Sequence, residues 1–99
     1  MSRLAPDNFS PYGVRMDIAR PEKVTTATAA VIKHLMKEKN QTTLQLANST
    51  GIARATLTRR QTGVTPYTVQ ELAYIAKELN TPVSAIMHQA EKLATAAQA

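Results

Sequence analysis

Thr42 to Arg60, TTLQLANSTGIARATLTRR, holds two short helical patterns hinged on Gly51, and the second ends in paired arginines. Thr42 opens the first pattern. Its hydroxyl can accept from a first-turn amide while Gln45, three residues on, bonds back, a capping box that starts a helix at Thr43. Leu46, Ala47 and Thr50 put small and apolar groups on one face of that helix. Gly51 supplies the positive φ that ends it and turns the chain. Ala47 is small, so a second helix can cross close to it. Ile52 and Leu57 complete the apolar contacts of the second helix, and its other positions, Arg54, Ala55, Thr56, Thr58, Arg59 and Arg60, are small or cationic. Such a surface suits a polyanion. No acidic residue lies between Glu38 and Glu71.

Outward from this pair, the pattern stays helical. From Val24 to Lys39, Ala27, Val31, Ile32, Leu35 and Met36 recur at three and four residues, which predicts an amphipathic first helix with Lys33, Lys37 and Lys39 near its outer end. Gly63 to Tyr67 reads as a loop. Thr68 with Glu71 makes a second capping box, and Tyr67 with Leu72 makes a hydrophobic staple across it. The fourth helix then spans Val69 to Leu79, with Val69, Leu72, Ala73, Ile75, Ala76 and Leu79 as its buried stripe and Asn80 as a left-handed stop. Thr81 is expected to cap a fifth helix with Pro82 at its first position and Val83, Ile86 and Met87 facing inward, ahead of an alanine-rich tail to Ala99. The fold expected is all-α with five helices: an irregular arm over 1–23, the helical domain over 24–90 and a helical tail over 91–99.

The arm, MSRLAPDNFSPYGVRMDIARP through residue 21, carries three prolines and has no clear helical period. Proline removes backbone donors and biases the preceding residue away from the helical region, so long regular structure is not expected, although Tyr12 to Ile18 could form a short strand. Two roles stay open for it. Arg3, Arg15 and Arg20 could grip phosphates or a minor groove, or the segment could be a loose leader or a piece packed on the domain.

Composition narrows the classes further. Twelve Lys and Arg against seven Asp and Glu give a net charge of +5 and a pI near 9.9 over 99 residues, enough chain for one modest core. The absence of cysteine excludes disulfides, thiol catalysis and thiolate metal sites. No apolar run is long enough to span a bilayer and no signal-peptide block opens the chain, so a cytoplasmic protein without membrane partners is expected. His34 and His88 stand apart from each other and from any carboxylate cluster, and no P-loop, Gly-x-Ser-x-Gly elbow or paired acidic site is present. Neither enzyme activity, a cofactor nor a metal is expected. Met16, Met36 and Met87 read as gap-filling core residues. A basic face taken alone is more often a solvated surface, so the weight falls on the spacing of the motif.

That spacing resembles a known family. LQLANSTGIARATLTRRQTG followed by ELAYIAKELNTPVSAIM is similar to the five-helix DNA-binding domain of lambda repressor and Cro proteins, the XRE-type helix-turn-helix, over about Val24 to Met87. The shared elements are Leu46-Ala47, Gly51 with Ile52, the buried Leu57, the Gly63 turn and Leu-x-x-Ile-Ala-x-x-Leu in the fourth helix. The resemblance implies that the helix from about Ala53 to Arg60 enters the major groove with Arg54 and Ala55 leading, Arg54 pairing with guanine and Ala55 or the Thr56 methyl touching thymine. Thr58 and Arg59 follow one turn on. Thr43, where the family usually has a glutamine, is expected on phosphate, as are Lys39, Arg60 and Thr62. Three positions depart from the family pattern. Arg60 stands where an apolar residue is usually buried, so it must find a partner or snorkel, and a head group reaching phosphate is the expectation adopted. Ala53 lacks a capping hydroxyl, and Gln61 replaces a frequent glutamate.

The function so implied is a sequence-specific regulator of transcription, most like a phage immunity repressor or Cro, that occupies an operator on double-stranded DNA as a homodimer. An antitoxin that represses its own operon and binds a toxin through the arm or tail is the near alternative. A protein-interaction module on the same scaffold is the alternative from another class. Val83, Ile86, Met87 and the tail through Leu93 could form a dimer contact or close the core.

Overall fold

The computed structural model describes residues 18–98, which form five α-helices in chain order: α1 (Pro21–Glu38), α2 (Thr43–Thr50), α3 (Arg54–Gln61), α4 (Val69–Glu78) and α5 (Val83–Gln98). The all-α, five-helix expectation holds. Arg3, Arg15 and all of the suggested Tyr12 to Ile18 strand except Ile18 lie outside the described residues.

The first helix begins three residues earlier than the periodicity predicts. Pro21 occupies its first turn, where a missing N–H costs nothing and the fixed φ already suits a helix, and Glu22 complements the positive helix end. The carbonyl of Arg20 accepts from Lys23 and Val24 at 2.9 and 3.0 Å. At its far end the chain turns through Asn40, at φ 55°, a left-handed stop of the kind expected at Asn80, which has φ 52°.

Both capping boxes form. Thr42 accepts from the amide of Gln45 at 3.1 Å and Gln45 accepts from the amide of Thr42 at 2.9 Å, and Thr68 and Glu71 repeat the exchange at 3.1 and 2.9 Å. Gly51 closes α2 at φ 79°. Ala53 gives α3 no side-chain cap, as its lack of a hydroxyl requires. At α5 the order expected is shifted by one residue: Pro82 stands just ahead of the first helical residue, Val83, its carbonyl accepting from Ala85 and Ile86 at 3.0 and 3.1 Å, while Thr81 donates its hydroxyl to the carbonyl of Leu79 at 3.0 Å.

Ile32, Leu46, Leu57, Ile75, Leu79 and Ile86, drawn from every part of the helical fold, are the largest fully buried side chains. They pin the short α2–α3 pair onto a frame of α1, α4 and α5, in which α1 runs against α5. Two residues assigned to the α4 stripe face outward instead, Val69 at 80% exposure and Ala73. Val69 is the first residue of its helix, ahead of the turn that packs, so periodicity extended one step too far. Ile86, Ala90 and Ala94 are buried in the core, so α5 and part of the alanine-rich tail close the domain, whereas Leu93 is half exposed.

Candidate nucleic-acid interface

Leu57 anchors α3 at zero exposure and thereby decides which way the helix faces. Arg54, Ala55, Thr58, Arg59 and Thr62 are all exposed, whereas Thr56, Arg60 and Gln61 are partly buried beside Leu57. At 100° per residue the exposed positions fill one continuous arc of about 140° on the helix. Arg54 and Arg59 stand on that arc with no ion pair among the described residues. Thr58 donates to the carbonyl of Arg54 at 3.0 Å and Thr62 to that of Arg59 at 2.6 Å, which folds both hydroxyls back on the helix. Of the five residues expected to read bases, four are therefore brought together. Thr56 lies on the other side of the helix, half-buried in line with Arg60.

Arg60, expected either to find a partner or to snorkel toward phosphate, has a partner in Glu71. Its Nε and Nη2 donate to Oε1 and Oε2 of Glu71 at 2.9 and 3.1 Å, and the two side chains are only 15% and 17% exposed. A charge drawn this far from water is held by a bidentate partner. The pair raises the Arg60 pKa, chiefly through the hydrogen bond to Glu71, and holds the Glu71 carboxyl below its ordinary range, chiefly through the hydrogen bond from Arg60. Because Glu71 also accepts from the Thr68 amide, one carboxylate ties the end of α3 to the capped start of α4.

Beside α3 lies a groove of about 270 Å³ that the sequence did not foreshadow, lined by Lys33 and Lys37 of α1, Gln41, Thr42 and Thr43 at the start of α2, and Gln61 of α3. Thr43 donates its hydroxyl to Gln61 Oε1 at 3.2 Å, so this hydroxyl, expected on phosphate, is engaged across the groove. Gln61 Nε2 in turn meets Met36 Sδ at 3.5 Å. Thr42 and Thr43 are the N-cap and first residue of α2, so the partial positive charge of that helix end lies at the same groove. Lys33 and Lys37 are exposed and one helical turn apart, a spacing visible in the sequence, unlike its place beside α2. Lys39 is exposed at the end of α1, and Arg20 is exposed just ahead of α1, away from this constellation in sequence.

The outer arc of α3 carries Arg54 and Arg59, the groove beside α3 carries Lys33 and Lys37, and the chain holds no acidic residue between Glu38 and Glu71. The family model of the Cro/C1-type helix-turn-helix DNA-binding domain matches residues 31–88. The chain belongs to the Cro/C1-type helix-turn-helix DNA-binding domain family. The match spans the end of α1 through the first turns of α5, including every residue of the α3 arc. Among solved structures, that of the clp gene regulator ClgR from Corynebacterium glutamicum is similar in fold, with a TM-score of 0.69 and 20% identity over 76% of this chain and 79% of that chain. No curated protein matches the chain. Within the Cro/C1-type domain, no group of three or more potential metal ligands occurs among the described residues. His34 pairs with Glu38 at 3.3 Å on the exposed side of α1, and His88 is exposed. No helix among them is long and apolar enough to cross a membrane.

Proposed function

We propose that the protein is a sequence-specific DNA-binding repressor that occupies an operator with α3 in the major groove and acts by steric exclusion, without catalysis. The observation that carries this reading is the α3 arc. Arg54, Ala55, Thr58 and Arg59 are presented together while Leu57 and the Arg60–Glu71 pair fix the helix from behind. Arg54, nearest the helix start, is the base reader, because a guanidinium there can donate a bidentate pair to guanine O6 and N7. Ala55 meets a thymine methyl, and Thr58 and Arg59 extend the contact one turn. Lys33, Lys37 and Lys39, with the α2 start, hold the phosphate backbone and supply salt-dependent affinity. Thr43 contributes through its amide and Thr62 through the end of α3, whereas Arg60 acts by positioning.

A homodimer reading an inverted repeat fits this role, since two such helices one DNA turn apart double the interface. A cytoplasmic site of action follows from the same role. Selection of bound duplexes from a random library at low and moderate salt, followed by titration of the winning sequence, tests the proposal. An enriched inverted repeat supports a dimeric repressor, and an asymmetric site supports DNA recognition by a single copy. No enrichment, with binding lost at moderate salt, defeats the reading and leaves a weakly basic surface.

A further inference from the structure

α2 and α3 are joined by the turn over residues 51–53, and they meet again at the ends farthest from it. Thr43 is the first residue of α2 and Gln61 the last of α3, and the Thr43 hydroxyl donates to Gln61 Oε1 at 3.2 Å. Both residues are partly buried, so water competes for this bond less than it would at an open surface. On its other side Gln61 Nε2 donates to Sδ of Met36 at 3.5 Å, and Met36 is buried in α1. Gln61 is thereby held between α1 and α2, while its neighbour Arg60 is held by Glu71 of α4. The other end of α3 has no such hold, since Ala53 supplies no side-chain cap and Arg54 makes no ion pair among the described residues.

Two helices joined by a short turn change their crossing angle by pivoting at that turn. A bond across the far ends opposes the pivot most, because it acts at the longest distance from the hinge. We propose that the Thr43–Gln61 hydrogen bond sets the angle of α3 and makes Gln61 a positioning residue for base recognition, although Gln61 itself lies off the exposed arc. The inference rests on the DNA-binding reading above. Arg59 lies five residues beyond Arg54, roughly 8 Å along the helix axis, so a tilt of about 5° at the turn carries it roughly 0.7 Å out of line. Arg54, next to the turn, hardly moves. Hydrogen bonds weaken over displacements of that size, so the Thr58 and Arg59 end of the arc is the part of recognition that depends on Gln61.

The test compares the wild type with Thr43→Val, Gln61→Leu, the double variant and Gln61→Glu, by fluorescence anisotropy on the duplex that the wild type selects and on its single-base-pair variants. The readout is the ratio of affinities between those duplexes. The folded fraction cancels in that ratio, so a loss of stability alone leaves it unchanged. Thr43→Val and Gln61→Leu should each reduce preference about two- to tenfold, the span of one neutral hydrogen bond, at base pairs other than the one that Arg54→Ala relaxes. The double variant should lose no more than the larger single loss, since both substitutions remove the same bond. Gln61→Glu keeps an acceptor for Thr43 and should keep the preference while binding every duplex more weakly. Unchanged ratios in Thr43→Val and Gln61→Leu overturn the proposal, whatever the urea midpoints do, and so do additive losses in the double variant or a lost preference in Gln61→Glu. A wild type that selects no sequence overturns the repressor reading and this proposal with it, whereas unchanged ratios around a selected operator overturn the proposal alone.

Discussion

The carboxylate of Glu71 lies against the guanidinium of Arg60 in two hydrogen bonds of 2.9 and 3.1 Å, and the same carboxylate caps α4 through the amide of Thr68. A side chain from the inner edge of α3 is thereby fastened to the first turn of α4. The outer edge of α3 is left free to present Arg54 and Arg59. This fastening has a pH signature. The Glu71 carboxyl is held below its ordinary value of 4.5, so the folded protein binds that proton less readily than the unfolded chain. The stabilisation from the pair is complete above pH 4.5 and is lost as pH falls through the lower folded value. Urea midpoints of wild type and Glu71→Gln should therefore differ at neutral pH and converge on acidification below 4.5. A constant gap across that range would show that the ion pair contributes nothing to stability.

Arg54→Ala should lower affinity for the selected operator about five- to 150-fold, the span of one bidentate base contact, and relax preference at a single base pair. Far-UV circular dichroism should be unchanged, because Arg54 is exposed and makes no ion pair among the described residues. Duplex binding that keeps its full sequence preference after the substitution removes Arg54 from base reading.

Lys33→Gln and Lys37→Gln carry a different signature. If each lysine neutralises one phosphate, each substitution should reduce the slope of log affinity against log salt by about 0.9, equally on operator and unrelated duplexes. A sequence-dependent loss would instead place these side chains on bases.

The parts of this fold that follow from local rules were legible in the amino-acid sequence. Both capping boxes, the left-handed Gly51 and Asn80 and the burial of Leu46 and Leu57 each depend on residues within a turn or two of one another. Contacts between distant residues were not legible in the same way. Arg60 and Glu71 are separated by a loop, so sequence alone signalled that Arg60 needed a partner without identifying it. Likewise Lys33, Thr43 and Gln61 meet only because α1, α2 and α3 converge. The resemblance implies a base contact for Thr56 alongside Ala55, whereas helical geometry turns Thr56 to the side of Arg60, where it is half-buried.

Gln61→Glu should weaken binding to every duplex while leaving base preference intact. The new charge would sit in the groove with Lys33 and Lys37, accept from Thr43 as the glutamine does, and oppose an approaching phosphate. Fluorescence anisotropy at two salt concentrations reads the effect, with a larger penalty expected at the lower one. Unchanged affinity at low salt would place the groove away from the phosphate backbone.

Ala53 offers the reverse experiment, a gain of stability at a defect. It precedes α3 with φ −59° and ψ 137°, an extended geometry compatible with a capping side chain, yet it supplies none. Thr42 and Thr68 show what is missing, since each accepts from the amide three residues on at 3.1 Å. Ala53→Ser can place its hydroxyl on the amide of Thr56 and should stabilise the fold by about 1 kcal/mol, while Thr42→Ala and Thr68→Ala should each cost about the same. Thermal or urea unfolding measures all three on one scale. Because Ala53 is exposed next to Arg54, the serine variant also separates stability from recognition. A stabilised protein with unchanged operator affinity would show that α3 already holds its DNA-binding conformation, whereas tighter binding would show that fraying of its first turn limits affinity in the natural sequence.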